Sequence, residues 1–313
     1  MSKILVVITV ALLTLTVYSQ TPRTAKDLDE RGHQRYEKGD YDGAIADFTQ
    51  VIELTSRLTV KSNPPVNSFV TDTEQAEEFA LLDRVRVLDP RTFSAYISRG
   101  NAFFAKRDAD RAIDDYNRAI SLYPGSVDAY TCRGMAYVLK NDPEKALADF
   151  ERALKIDPRS ARSVIGRAIA NLDKGDTKAA FDDFDHAIKL APDNAEGYYQ
   201  RGDARLRNHD VDGAIADFEA ALKVDPQHAN AYYGRGKGLF YKGQFDRAIK
   251  DFTTAVTLDG RLSYAFATRG YALLIQGKDA DAEKDFGHAM TIDPAIRPEI
   301  DENVKKIIGW RKR

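Results

Sequence analysis

Cysteine is almost absent: across 313 residues there is one, Cys132. A lone thiol forms no internal disulfide, so Cys132 is either a small packed hydrophobe or a site of pairing with another molecule. Histidine is sparse too. His33, His186, His209, His228 and His288 are scattered, and no two stand at metal-ligand spacing on one helix. Excess charge of one sign is also missing. The 46 basic and 48 acidic side chains leave a net charge of -2, which implies neither a basic nucleic-acid footprint nor an acidic tail. Long apolar runs are limited to Ile4–Val17, fourteen residues interrupted by three threonines. That is shorter than the roughly 20 residues a bilayer-spanning helix needs. With Lys3 before it and cleavage options around Val17 and Ser19, the segment reads as a signal peptide over residues 1–19, with Gln20 opening the mature chain. An uncleaved anchor is the alternative. No cysteine follows the run, so a lipoprotein is not suggested. The expectation is an exported protein, periplasmic or secreted, with no stable membrane span once the signal is removed.

Catalytic patterns are lacking as well. No glycine-rich phosphate loop follows a strand pattern, and no G-x-S-x-G turn is found. Acidic pairs such as Asp114-Asp115 and Asp182-Asp183 recur periodically, which marks a repeat rather than an acid–base site. The expectation is therefore no enzyme, no cofactor and no metal.

What the chain does have is repetition. KGDYDGAIADF (Lys38 to Phe48) returns as KGQFDRAIKDF (Lys242 to Phe252). Arg-Gly dipeptides place glycine at 32, 100, 134, 202, 236 and 270, every separation a multiple of 34, and Ala168 after Arg167 supplies the missing beat. With that residue as position 8, position 20 is alanine in all seven copies, from Ala44 to Ala282. Position 24 is always an aromatic ring: Phe48, Tyr116, Phe150, Phe184, Phe218, Phe252 and Phe286. Proline or glycine closes most units near position 32. Small residues at 8 and 20 let two helices approach, and the ring at 24 fills the space beside them.

This pattern resembles the tetratricopeptide repeat family, in which a 34-residue helix–turn–helix stacks on its neighbours. The resemblance implies an all-α, right-handed superhelical solenoid, because no unit buries its apolar face alone. The expected organisation is a signal at 1–19, a first repeat at 20–57, a loop plus eroded repeat at 58–92, six tandem repeats at 93–296, and a capping helix with a basic tail at 297–313. Within the eroded unit, Pro64-Pro65 excludes an ordinary first helix, while Thr73–Pro90 reads as a second helix closed by Asp89-Pro90. The loop is either a solvated excursion or a partner contact. The tail, with Trp310 and Arg311 to Arg313, is either frayed or a grip on a membrane surface or an acidic partner.

One departure from the family pattern is systematic. Position 7 is arginine and position 23 aspartate in all seven copies, from Arg31 with Asp47 to Arg269 with Asp285. A cation and an anion repeated in step predict a ladder of charge-assisted bonds between the two helices of each unit. On this reading Arg201→Ala strands a buried aspartate.

The resemblance further implies a concave wall built from positions 2, 5, 9, 12 and 13 of each first helix. At the front these are polar, as in Lys26, Asp29 and His33. In the middle they are apolar, as in Met135, Ile165 and Leu172. Toward the C-terminus they are aromatic. The candidate partner-binding residues are Tyr199, Asp203, Arg207, Tyr233, Lys237, Phe240, Tyr241, Tyr264 and Tyr271. Leu206, Ala267 and Leu274 share the same positions. Aromatic walls suit protein recognition, since they offer large contact area with few rotors. A carboxylate clamp of the chaperone-binding type is not met: Asn101 stands at position 9, but Ile97 holds its position 5. The expected function is a non-catalytic scaffold receiving a protein or peptide segment in the groove, with no nucleic-acid partner. Two other roles stay open: a structural element stacking end to end, and an accessory subunit in glycan or small-molecule processing.

Overall fold

The computed structural model describes residues 24–61 and 90–311, with side chains from 24–56 and 90–311. The signal segment, the Thr73–Pro90 helix but for its last residue, and residues 312–313 lie outside the described residues. Among those described there are fifteen α-helices, one 3-10 turn and no strand. They fall into two compact units, residues 1–158 and 159–313.

The first unit holds α1 (Ala25–Glu37), α2 (Tyr41–Lys61), α3 (Pro90–Ala105), α4 (Ala109–Leu122), α5 (Val127–Leu139) and α6 (Pro143–Ile156). The second holds α7 (Ala161–Asp173), α8 (Thr177–Leu190), α9 (Ala195–Arg207), α10 (Val211–Val224), α11 (Ala229–Tyr241), α12 (Phe245–Leu258), α13 (Ser263–Ile275) and α14 (Asp279–Ile292). After a 3-10 turn at Pro294–Ile296 comes α15 (Arg297–Arg311). Odd-numbered helices up to α13 are the first helices of pairs and even-numbered ones the second, as the 34-residue period predicts.

Local chemistry sets these boundaries. Each first helix ends on a residue in the left-handed region at repeat position 15: Gly39, Gly175, Gly243 and Gly277, but also Arg107, Asn141 and His209. One such residue redirects the backbone so that its N–H and the next satisfy the last carbonyls; Gly39 N–H donates to Tyr36 O and Asp40 N–H to Arg35 O, both at 2.9 Å. The aspartates that follow then cap the second helices: Asp108, Asp142, Asp176 and Asp210 each accept from the N–H three residues on.

Within a pair, the glycine at position 8 touches the ring at position 24. A Cβ added to Gly134 would stand 2.8 Å from Phe150 Cε1, and one on Gly236 would stand 2.6 Å from Phe252 Cε1. The rings of Phe48, Phe150, Phe184, Phe218 and Phe252 are fully buried. Cys132 is buried beside Ile113 and Tyr116, as a small packed side chain.

The arginine–aspartate ladder is present in all seven pairs. In each rung Nε donates to Oδ2 at 2.7–3.0 Å and Nη2 to Oδ1 at 2.5–2.8 Å. The aspartates are all buried. The geometry is the parallel two-bond fork that guanidinium and carboxylate share, and the Asp149 carboxylate holds the Arg133 guanidinium above its ordinary value. In several rungs Nη1 also reaches back to position 25 of the preceding pair: Arg133 to Asn117 Oδ1 at 2.6 Å, Arg201 to Asp185 Oδ1 at 2.5 Å, and Arg269 to Thr253 Oγ1 at 3.1 Å. Rungs therefore bind within a pair and between pairs.

Rungs differ in how many cations they hold. Asp217 also meets Arg205 Nη1 at 2.8 Å, and Asp47 meets Arg35 Nη1 at 2.9 Å. Both second arginines stand at position 11 and also donate to a glycine carbonyl at position 19, Gly213 and Gly43, at 3.1 Å. Arg201→Ala thus leaves Asp217 with a cation, contrary to the stranding expected above.

In the first unit, α2 packs directly on α3, with Val51, Ile52, Ala95 and Leu28 in one cluster and Phe48 with Ala102 in another. The polar contacts show the register. Arg99 Nη1 reaches Thr49 Oγ1 at 3.0 Å across 50 positions, where the same contact from Arg133 to Asn117 spans 16. Lys106 pairs with Asp42 across 64 positions, where Lys140 pairs with Asp110 across 30. Both differences equal one 34-residue period, so α2 and α3 meet as adjacent repeats do. Two boundaries move from expectation. The second helix of the first repeat continues past 57 to Lys61, since helix-compatible Ser56–Lys61 precedes Pro64. Pro90 opens α3, three residues ahead of the expected start of the tandem repeats at 93, its fixed φ suiting a first helical turn where the missing N–H costs nothing.

Within the second unit, successive first helices touch one another, α7 to α9, α9 to α11, α11 to α13 and α13 to α15, whereas successive second helices make no comparable contact. The first helices thus form the inner, concave side of that unit.

Candidate functional site

The concave side of the second unit carries all nine candidate residues, on α9, α11 and α13. Six of them meet in one cleft of about 280 Å³: Tyr233, Lys237, Phe240 and Tyr241 from α11, with Tyr264 and Tyr271 from α13. Thr268 of α13 and Glu299 of α15 complete it.

Two rings stand free at the cleft, with Tyr241 63% and Tyr264 50% exposed. Others are held by the core. Tyr233 lies 5.9 Å from the Phe252 ring, and burial pushes its phenol up to about 12 against a hydrogen bond with Thr268 that lowers it. Tyr271 is buried 5.4 Å from Phe286, and its hydroxyl accepts from Asn303 Nδ2 at 3.3 Å. Burial raises its phenol too. Phe240 stacks edge-on with Phe245 at 5.4 Å. Lys237 Nζ sits 5.5 Å from the centroid of the Tyr233 ring, a cation–π placement.

Tyr199, Asp203 and Arg207 do not line the cleft. Tyr199 is packed 5.0 Å from the His228 ring and 6.0 Å from Phe218, and burial, followed by the charges of Asp203 and Glu196, drives its phenol upward. Arg207 Nε donates to Asp203 Oδ2 at 2.9 Å, one helical turn away, so the two charges satisfy each other. Leu206, Ala267 and Leu274 are buried and belong to the core rather than the wall. Position 12 faces the groove only where the neighbouring helix leaves it room, as at Phe240.

Thr268 and Glu299 are additions to the sequence reading. Thr268, at position 6, reaches the cleft over the shoulder of α13. Glu299 arrives because α15 is in phase with the repeats: Arg297 falls 34 residues after Ser263 and opens a helix as Ser263 does. The continuing phase was the available signal. Ile300 anchors α15 in the core with Ile296, while Arg311 Nη1 donates to Leu274 O at 3.1 Å and Asp279 Oδ1 at 2.6 Å. Trp310 beside it is 66% exposed. Among the described residues no group of histidine, cysteine and carboxylate side chains is arranged to hold a metal ion, and no helix is long and apolar enough to cross a membrane.

Comparison with known proteins agrees with this architecture. Tetratricopeptide repeat models match residues 76–127, 127–160, 199–240 and 229–262. Among solved structures, the chain is similar to a tetratricopeptide repeat protein from Parabacteroides merdae, with 18% identity and a TM-score of 0.57 over 92% of this chain and 100% of that one. It is also similar to a chain of the APC/C hetero-tetramer Cut9–Hcn1, with 12% identity and a TM-score of 0.61 over 90% of this chain and 55% of that one. A thermophilic tetratricopeptide repeat protein of Thermus thermophilus shares 18% identity at a TM-score of 0.54, over 58% of this chain and 99% of that one. At such identities the likeness establishes the fold, an all-helical solenoid of paired helices. No curated protein matches the chain.

Proposed function

We propose that this chain, a member of the tetratricopeptide repeat family, is a non-catalytic scaffold that receives a protein or peptide segment in the concave groove of residues 159–313. Repeat arrays of this kind use their concave surfaces for binding. The observation that carries the reading is the pair of free rings, Tyr241 and Tyr264, beside a cleft already walled by Tyr233, Phe240 and Tyr271. Large rings left in water around a concavity are the usual anchors of an interface, because covering them releases ordered solvent at little rotamer cost. Tyr199, Asp203 and Arg207 extend the wall along α9 as its flank.

Affinity capture with the wild-type chain beside a Tyr241→Ser/Tyr264→Ser variant tests this. Both rings are exposed, so the variant is expected to keep the wild-type circular dichroism spectrum and melting temperature. A partner held by the wild type and lost by the variant supports the groove; equal recovery by both sinks it. Export, read from Ile4–Val17, belongs to the same proposal, and cell fractionation with N-terminal sequencing of the product checks it.

A further inference from the structure

We infer that the cleft between α11, α13 and α15 takes a peptide segment in which one large apolar side chain is flanked by a carboxylate and a cation, the carboxylate facing Lys237 and the cation facing Glu299. The inference rests on the groove reading above and adds the chemistry of its occupant.

The groove-position charges of the neighbouring α9 are satisfied within the fold. Asp203 and Arg207 pair with each other. Glu196 accepts from Gln200 Nε2 at 2.7 Å and faces His228 Nε2 at 3.6 Å. The two charges at the cleft differ. Among the described residues Lys237 has a ring for a neighbour and no carboxylate, and Glu299 has no cation. They come from different helices and do not pair with each other. The Glu299 charge nevertheless reaches into the cleft, since it helps to raise the phenols of Tyr233 and Tyr271.

Size and sign together narrow the occupant. About 280 Å³ is near the lower end of ligand pockets, which start at roughly 300 Å³, so it holds one side chain with its adjoining backbone rather than a folded surface. A neutral glycan would offer hydroxyls to the ammonium and the carboxylate but no charge to compensate either, which favours a charged occupant. A purely acidic segment would meet Glu299, and a purely basic one Lys237. Only a segment carrying both signs around an apolar residue answers every group present, and a pair of opposite charges also fixes its direction along the groove.

The test begins with a phage-displayed library of random 12-residue peptides selected on the full chain. Enriched sequences are expected to share an aromatic residue or leucine, with Asp or Glu on one side and Lys or Arg on the other. A synthetic peptide of that sequence is then titrated by fluorescence anisotropy against wild type, Lys237→Glu, Glu299→Lys and Tyr241→Ser/Tyr264→Ser. Each charge reversal is expected to weaken binding roughly tenfold or more, and reversing the matching charge of the peptide to restore it. Enriched peptides without the two charges, or affinities indifferent to both reversals yet lost in the tyrosine variant, overturn the inference and leave the groove reading standing. No enrichment, or peptides indifferent to the tyrosine variant, overturns both.

Discussion

The ladder and the groove occupy the same first helices and obey opposite rules. At position 7 all seven copies carry arginine, and every one makes the same fork to the aspartate sixteen residues on. At position 9 the copies carry His33, Asn101, Met135, Ile169, Asp203, Lys237 and Tyr271, no two alike. Positions that must join one helix to its mate face the same partner in each unit, so one solution serves them all. Positions that face the groove meet a different neighbour in each unit, Tyr116 for Asn101, Arg207 for Asp203 and Phe286 for Tyr271, so no single solution is imposed on them. Repetition marks the positions that join the helices, and variation marks the groove.

The largest effect should come from breaking a rung held by one cation. Arg133→Ala leaves Asp149, 5% exposed, with an uncompensated buried charge, and a loss of about 3–5 kcal/mol is expected in urea unfolding. Arg201→Ala should cost clearly less, because Arg205 remains 2.8 Å from Asp217. Equal losses for the two would mean that the second cation contributes nothing.

A smaller effect separates the core-held groove rings from the free ones. The Tyr233 phenol stays protonated in the fold to about 12, whereas an unperturbed tyrosine titrates near 10. Its folded value is raised, so its contribution to stability is complete below about pH 10 and is lost as pH rises through about 12. Tyr233→Phe should therefore flatten the alkaline fall in unfolding free energy over that window, by about 1–2 kcal/mol. Tyr241→Phe, at a ring 63% exposed, should leave the fall unchanged. Urea midpoints at pH 9.5 and 11.5 for both variants decide it.

Smaller again is the turn at position 15, where four copies have glycine and Arg107 has φ 59°. Arg107→Gly should raise stability by about 0.5–1 kcal/mol, because glycine enters the left-handed region without the Cβ clash. Thermal melts check it, and a lower melting temperature would show that the arginine side chain matters more than its backbone. The least effect on stability is expected for Tyr241→Ser/Tyr264→Ser, within about 0.5 kcal/mol of wild type while binding is lost.

Much of this is legible in the sequence. The Arg-Gly beat set the helix pairs, and the matched arginine and aspartate predicted the ladder down to its members. Six of nine groove candidates came together in one cleft. Tyr199, Asp203 and Arg207 did not, and the reason is specific to their surroundings: His228, which caps α11, offers Tyr199 a ring to pack on, and Arg207 falls one turn from Asp203. Position number predicts which way a side chain points, but not what it finds there.

The sequence by itself determined the repeat unit, its two helices, their tight contact at glycine and ring, and the charge pairs that join them. All of these are contacts between residues about sixteen apart, repeated until the pattern was unmistakable. Only the tertiary structure decided that α2 meets α3 as a neighbour across 34 additional positions, that Leu206 and Leu274 are core, and that Glu299 closes a cleft begun some seventy residues earlier by Tyr233. Those depend on which surfaces press together after the units have formed. Such contacts join segments distant in sequence, whose meeting depends on packing that no single period encodes.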